Sequence, residues 1–143
     1  MSTRYLIVRT VGWLTSSINR NGGEVRIMAM ARTIRPEKVE KCITECMDCH
    51  TVCLDLAYYS LNQGGELSEP DHIKSLMDCA DLCRTSVDFM LRGSDFSAQV
   101  CELNAKVCDQ CAESCYQFKE DAKMKAGGDI CRRTASSCRE MAQ

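Results

Sequence analysis

Twelve of the 143 residues are cysteine, and their spacing says more than their number. Cys42, Cys46, Cys49 and Cys53 are separated by steps of 4, 3 and 4. In an α-helix that rhythm keeps side chains on one face, the seam that points inward in a bundle. The same ladder can be laid on three later segments. One holds His72, Leu76, Cys79 and Cys83. The next holds Asn104, Cys108, Cys111 and Cys115, with Cys101 one turn earlier. The last holds Gly127, Cys131, Thr134 and Cys138. Eleven of the sixteen ladder positions are cysteine, Cys101 sits just beyond, and no cysteine falls off the seam. The pattern is an internal repeat.

Leucine and isoleucine normally fill such positions. Cysteine is much smaller, so a bundle lined this way is underfilled unless something occupies its axis, and cavities in a core are costly. Metal ions bound to sulfur would fill that space. Disulfides explain the ladder poorly. Side chains three or four apart on a helix have Cβ atoms about 5–6 Å apart, whereas a disulfide needs about 3.5–4.5 Å. Thiolates select soft ions: copper(I), zinc or iron–sulfur clusters. Structural zinc needs four ligands in a tetrahedron, and neighbours on successive turns are expected to supply pairs. Pairs suit copper(I), and a continuous tube of sulfurs can bridge ions to a high load. Iron–sulfur clusters usually take ligands from loop runs, and these cysteines lie mid-helix. Zinc or mixed soft metals, thiol redox work, and cysteine as a small apolar filler remain the other readings.

The elements that must position these thiols are legible. Pro36 suits a first turn, and the first helix should run to about Leu61, stopping before Gly64-Gly65. Ser68 with Asp71 resembles a capping box opening a second helix that ends near Arg92-Gly93. Ser94 should cap a third helix from about Asp95 to Phe118, and a fourth should run from about Asp121 to Met141. Gly127-Gly128 should weaken or kink the fourth by about 1 kcal/mol per glycine. Short connections imply an antiparallel up-down four-helix bundle, all-α, with a cysteine-lined core. The expected metal-binding domain is 35–143. Residues 1–34 carry no cysteine and read as a weakly structured extension, with a faint amphipathic pattern over Tyr5 to Ile18. Met28 and Met30 leave room for a later start.

Composition narrows the function. The net charge is only −2, so no broad field attracts nucleic acid or a membrane surface. No segment approaches the roughly 18 apolar residues of a membrane span. Arg9 interrupts the apolar run at the N-terminus, which reads as no export signal and a cytoplasmic location. A cytosolic chain this rich in cysteine points to metal or redox chemistry. A di-iron enzyme in this fold needs two Glu-x-x-His pairs, and only Glu69 with His72 fits. No thiol has a partnering base that singles it out as a nucleophile, so no enzyme is expected. A DNA-binding metal sensor should show a basic recognition helix, and none is visible.

Several runs resemble one family. Cys79-Ala80-Asp81-Leu82-Cys83, Arg92-Gly93-Ser94-Asp95-Phe96, Cys108-Asp109-Gln110-Cys111-Ala112-Glu113-Ser114-Cys115 and Cys138-Arg139-Glu140-Met141 look like the bacterial copper storage proteins. The resemblance spans about Pro36 to Met141. It implies a bundle that binds many copper(I) ions through inward thiolates, assembly into homotetramers, and the cytosolic kind. A copper-requiring client is not identified by it. Relatives tend to carry cysteine where this chain has His72, Leu76, Gly127 and Thr134, which implies a lower capacity here.

Antiparallel packing predicts which residues share a level. Cys42 and Cys46 should lie near Cys79, Cys83, Cys101, Cys108 and Cys138. Cys49 and Cys53 should meet Cys111, Cys115 and Cys131. His72 joins the latter end as a candidate ligand, and Met124 lies on the same face as Cys131. Together they are expected to flank a mouth for copper. Met90 and Met141 should plug the opposite end. His50 points off the ladder, toward a surface or subunit contact. Tyr58, Tyr59, Phe89, Phe96 and Phe118 should pack between helices or subunits.

Overall fold

The computed structural model describes residues 35–143. The expected division at residue 35, the helix over Tyr5 to Ile18 and the later start all concern residues outside that range. The described residues form four α-helices: α1 (Glu37–Gln63), α2 (Pro70–Leu91), α3 (Ser97–Tyr116) and α4 (Ala122–Ala142). One 3₁₀ turn, Gly65–Ser68, joins α1 to α2. Each helix packs on two others, α1 and α3 each against both α2 and α4, which closes a ring around one axis. The expected all-α four-helix bundle is what the chain forms, with no strand among the described residues.

The stops of α1 and α2 follow glycine. Gly64, Gly65 and Gly93 take positive φ of 71°, 59° and 62°, a region that costs other residues energy. After α2, Gly93 N–H donates to Met90 O and Ser94 N–H donates to Phe89 O, which satisfies the last carbonyls. The helix starts differ from expectation. Ser68 does not cap α2; its hydroxyl donates to Gly65 O at 2.8 Å inside the 3₁₀ turn. Pro70 opens the helix instead. It lacks only a donor that the first turn leaves unpaired. Ser94 likewise stands in the turn, accepting from Phe96 N–H at 3.3 Å, and α3 begins at Ser97. At α4 the cap is a carboxylate: Asp121 accepts from the N–H groups of Lys123 and Met124. Tyr59 on α1 donates to the same carboxylate at 2.7 Å, which ties this corner together.

The glycine pair in α4 neither breaks nor shortens the helix. A Cβ at Gly127 would lie 2.2 Å from Leu56 Cδ1, and one at Gly128 would lie 2.6 Å from the Tyr116 ring. The two glycines are holes into which α1 and α3 insert side chains. The packing gained there offsets the lower helix propensity.

Candidate metal centre

All twelve cysteines are fully buried and none is in a disulfide. Each helix contributes its seam to one continuous sulfur lining. Cys138 Sγ lies 3.8 Å from Cys42 and 3.6 Å from Cys46. Cys49 Sγ lies 3.6 Å from Cys79, 3.7 Å from Cys131 and 3.9 Å from Cys53. Cys53 approaches Cys111 at 3.9 Å and Cys131 at 3.8 Å. Cys108 lies 3.6 Å from Cys79 and 3.7 Å from Cys83.

Three groups of sulfurs converge to within 4.8 Å of one another: Cys49, Cys53, Cys79, Cys131; Cys49, Cys79, Cys83, Cys108; and Cys42, Cys46, Cys138. The seam therefore does not supply only pairs. Small side chains let facing helices bring sulfurs together across the axis, so tetrads form from three helices at once. Cys49 and Cys79 belong to both tetrads, so bound ions would share bridging thiolates. The levels also differ in part from expectation. Cys79 touches Cys49, and Cys108 touches Cys79, so both sit mid-column, whereas Cys46 and Cys42 meet Cys138 as expected.

Packed thiols divide their protons unequally. Contacts with Cys108, Cys131, Cys53 and Cys79 hold Cys49 well below the usual thiol range, against the opposite pull of burial. Cys46 is pushed far above that range by Cys138, then Cys42 and Cys83, with burial adding to it. Cys79 is raised by Cys108, Cys111, Cys131 and Cys49, again with burial. Metal binding needs thiolates, so loading must expel the protons that such sulfurs keep.

His72 is 4% exposed. Its Nδ1 is 2.7 Å from Ser114 Oγ, and its ring meets Phe118 edge-on at 5.0 Å. Its Nε2 is buried without a hydrogen-bond partner. Burial lowers the His72 pKa, which favours the neutral imidazole. The ring also lines a groove of about 590 Å³ whose other residues include Glu66, Glu69, Asp71 and Glu113. Met124, Leu76 and Thr134 are fully buried, and Leu56 is 5% exposed. Thr134 Oγ1 donates to Glu45 O at 3.1 Å. Met90 is buried and Met141 packs partly buried on the core, as expected for apolar plugs. His50 stays off the sulfur lining, but it is no free surface group: its Nδ1 lies 2.9 Å from Ala80 O and links α1 to α2. Tyr59 and Phe118 pack against the core, whereas Tyr58 and Phe96 are 74% and 63% exposed on the single chain.

A family model described as copper storage protein matches residues 35–143, the whole described bundle. The chain belongs to the copper storage protein family. Solved structures agree. The Nmul_A1745 protein from Nitrosospira multiformis is 42% identical with a TM-score of 0.71, covering 74% of this chain and 95% of that one. The apo copper storage protein 3 from Bacillus subtilis is 30% identical with a TM-score of 0.65, covering 73% of this chain and 98% of that one. A cytosolic copper storage protein from Streptomyces lividans, solved with five coppers, is 26% identical with a TM-score of 0.65, covering 74% and 92%. No curated protein matches the chain. Within the copper storage family, then, this member has a lining of twelve thiols broken by Leu76, Asn104, Gly127 and Thr134.

Asn104 is the residue whose part the sequence hid. It occupies a ladder position, yet its amide reaches four sulfurs. It donates to Cys46, Cys83 and Cys138 at 3.6, 3.6 and 3.4 Å, and it accepts from Cys83 and Cys108 at 3.6 and 3.5 Å. Only the levels of three other helices, known together, put those sulfurs around it.

Proposed function

We propose that the chain stores several copper(I) ions at once, bound by Cys42, Cys46, Cys49, Cys53, Cys79, Cys83, Cys101, Cys108, Cys111, Cys115, Cys131 and Cys138. The observation that carries the reading is the sealed column of free thiols with sulfur–sulfur spacings of 3.6–3.9 Å. Soft thiolates favour copper(I), and shared vertices such as Cys49 and Cys79 suit bridged clusters. Copper is the cargo, and no residue is assigned a catalytic part.

His72 is a further ligand in this reading, because its buried Nε2 has no protein partner. The acidic groove beside it supports this end as the place where copper arrives. Met124 lies buried on the same end as a thioether reserve. The storage domain is 35–143, with 1–34 an extension. Among the described residues no helix is long and apolar enough to cross a membrane, and a cytoplasmic location fits reduced thiols. A homo-oligomer, a tetramer as the resemblance implies, fits the exposure of Tyr58, Leu61, Phe96 and Leu103.

A zinc buffer is the second reading, because one feature favours it. A tetrahedral centre with metal–sulfur bonds of about 2.3 Å has sulfur–sulfur edges near 3.8 Å, close to the contacts in the Cys49, Cys53, Cys79, Cys131 group. Anaerobic titration with copper(I) against a competing chelator separates the two. Storage predicts several tightly held copper ions per chain. Saturation at one or two ions, with zinc not displaced, would support the buffer or a sensor instead.

A further inference from the structure

The two four-sulfur groups on the axis are not separate. Cys49, Cys53, Cys79 and Cys131 form one, and Cys49, Cys79, Cys83 and Cys108 form the other. Cys49 and Cys79, 3.6 Å apart, are common to both. Two tetrahedra that share an edge have six vertices, and here the six are sulfurs drawn from all four helices.

The spacings are already those of a loaded site. A four-coordinate divalent ion with metal–sulfur bonds of about 2.3 Å holds its sulfurs about 3.8 Å apart. In the first group Cys49 lies 3.9 Å from Cys53, 3.6 Å from Cys79 and 3.7 Å from Cys131, and Cys53 lies 3.8 Å from Cys131. In the second, Cys108 lies 3.6 Å from Cys79 and 3.7 Å from Cys83. The remaining pairs of each group stay within 4.8 Å. An ion can therefore enter each group while the helices keep their places. The third group, Cys42, Cys46 and Cys138, has three sulfurs. Structural sites of such ions are closed by four ligands, so it makes no third site of this kind.

We propose that Cys49, Cys53, Cys79, Cys83, Cys108 and Cys131 form a two-ion site for zinc-like divalent cations, in which Cys49 and Cys79 bridge the ions, Cys53 and Cys131 complete one, and Cys83 and Cys108 complete the other. This gives the zinc reading a fixed number of ions and a fixed ligand set, and it holds whether or not the same thiols store copper(I). Two divalent cations bind six thiolates, six thiol protons pass to solvent, and no electron moves. The bound unit carries two negative charges, and buried charge is costly unless it is hydrogen-bonded. Thiols outside the site supply the donors: Cys111 lies 3.9 Å from Cys53, and Cys46 meets Cys83. Hydrogen bonds to charged acceptors are stronger than neutral ones.

The test is anaerobic titration of the full, metal-free chain with cobalt(II), followed by absorption and electron paramagnetic resonance, and with zinc(II), followed by native mass spectrometry. The natural chain should bind two ions of either metal. Cobalt should show the absorption of tetrahedral thiolate sites, and the second ion should quench the paramagnetic signal, because bridging sulfur couples the two spins. Cys53→Ser removes a ligand from one ion alone, so one uncoupled ion should remain. Cys49→Ser removes a ligand from both. Loss of a ligand costs at least what loss of a supporting hydrogen bond does, about tenfold, so both ions should be weakened by that much or more. Cys115→Ser, outside the six, should keep two coupled ions. Saturation of the natural chain at any number other than two, or two ions without coupling, would overturn the shared edge. Two coupled ions in Cys53→Ser, or loss of an ion in Cys115→Ser, would overturn the ligand set. Should Cys49→Ser fail to fold, the natural chain and Cys53→Ser still decide. A separate copper(I) titration reports on storage: several copper ions without a two-ion cobalt site would remove this site and leave storage standing.

Discussion

The same four seams build two different interiors. Between Cys42 and Cys115 the axis is lined by sulfur, with neighbouring thiols 3.6–3.9 Å apart. At the His72 end the seam turns to Leu56, Leu76, Met124 and Gly127, and the interior becomes an ordinary close-packed core, with Leu56 filling the space that Gly127 leaves. The helices do not change between the two regions. The difference lies only in which residues stand at the ladder positions. One bundle can thus be packed at one end by apolar side chains and lined at the other by thiols in mutual contact.

If the sulfur region is completed by cargo, removing cargo should cost the most. Each ion held at about a thousand times its dissociation constant adds about 4 kcal/mol of stability. Two or more such ions should raise the melting temperature by more than about 15 °C. Calorimetry of apo and copper-loaded chain, kept anaerobic, measures this; equal melting temperatures would erase the contrast between the regions.

Within the sulfur region the effect should concentrate on shared vertices. Cys49 and Cys79 stand in both four-sulfur groups, and the double change to serine leaves each group two sulfurs. Copper capacity should fall by about half, since serine oxygen is a poor donor to copper(I). Cys101→Ser, at the far end, should lose far less. Equal losses in the two variants, by elemental analysis, would mean that the column is not bridged.

The apolar end gives the converse experiment. Gly127→Cys adds a thiol at a ladder position but drives Cβ into Leu56. Overpacking of this kind costs about 1–3 kcal/mol, so the single variant should be less stable with little gain in copper. Combining it with Leu56→Ala should restore stability and raise uptake, which would turn the packed region into storage. Thr134→Cys, whose neighbour is the Glu45 carbonyl, needs no such relief.

Acidity should act more gently. Cys46 and Cys79 hold their protons above the usual thiol range. Copper must displace those protons, so uptake releases acid and apparent affinity falls as pH falls. A step from pH 8 to pH 6 should weaken binding at least about tenfold. Titrations at the two values with a pH-corrected chelator measure it, and pH-independent affinity would mean that the thiols were already ionised.

The sequence made the ladder readable because a 4-3-4 rhythm has one meaning on a helix, and all twelve cysteines duly face the axis. The closing glycine of α2 was readable for a similar reason, since a helix stop is local. Other features depended on what neighbours do. Ser68 and Ser94 looked like caps, yet Pro70 and a turn around Ser94 set the true starts. Gly127 and Gly128 read as weak points because their partners, Leu56 and Tyr116, lie far away in sequence. The level of Cys79, the tetrads it completes and the role of Asn104 depend on the axial offset between helices, which no single ladder carries.

The most direct measurement is a crystal structure of the anaerobically copper-loaded chain with anomalous diffraction at the copper edge. The account requires several copper peaks strung along the axis between Cys42 and Cys115, each bonded to sulfur from more than one helix. Copper confined to the outer surface, or an empty axis closed by disulfides, would contradict it.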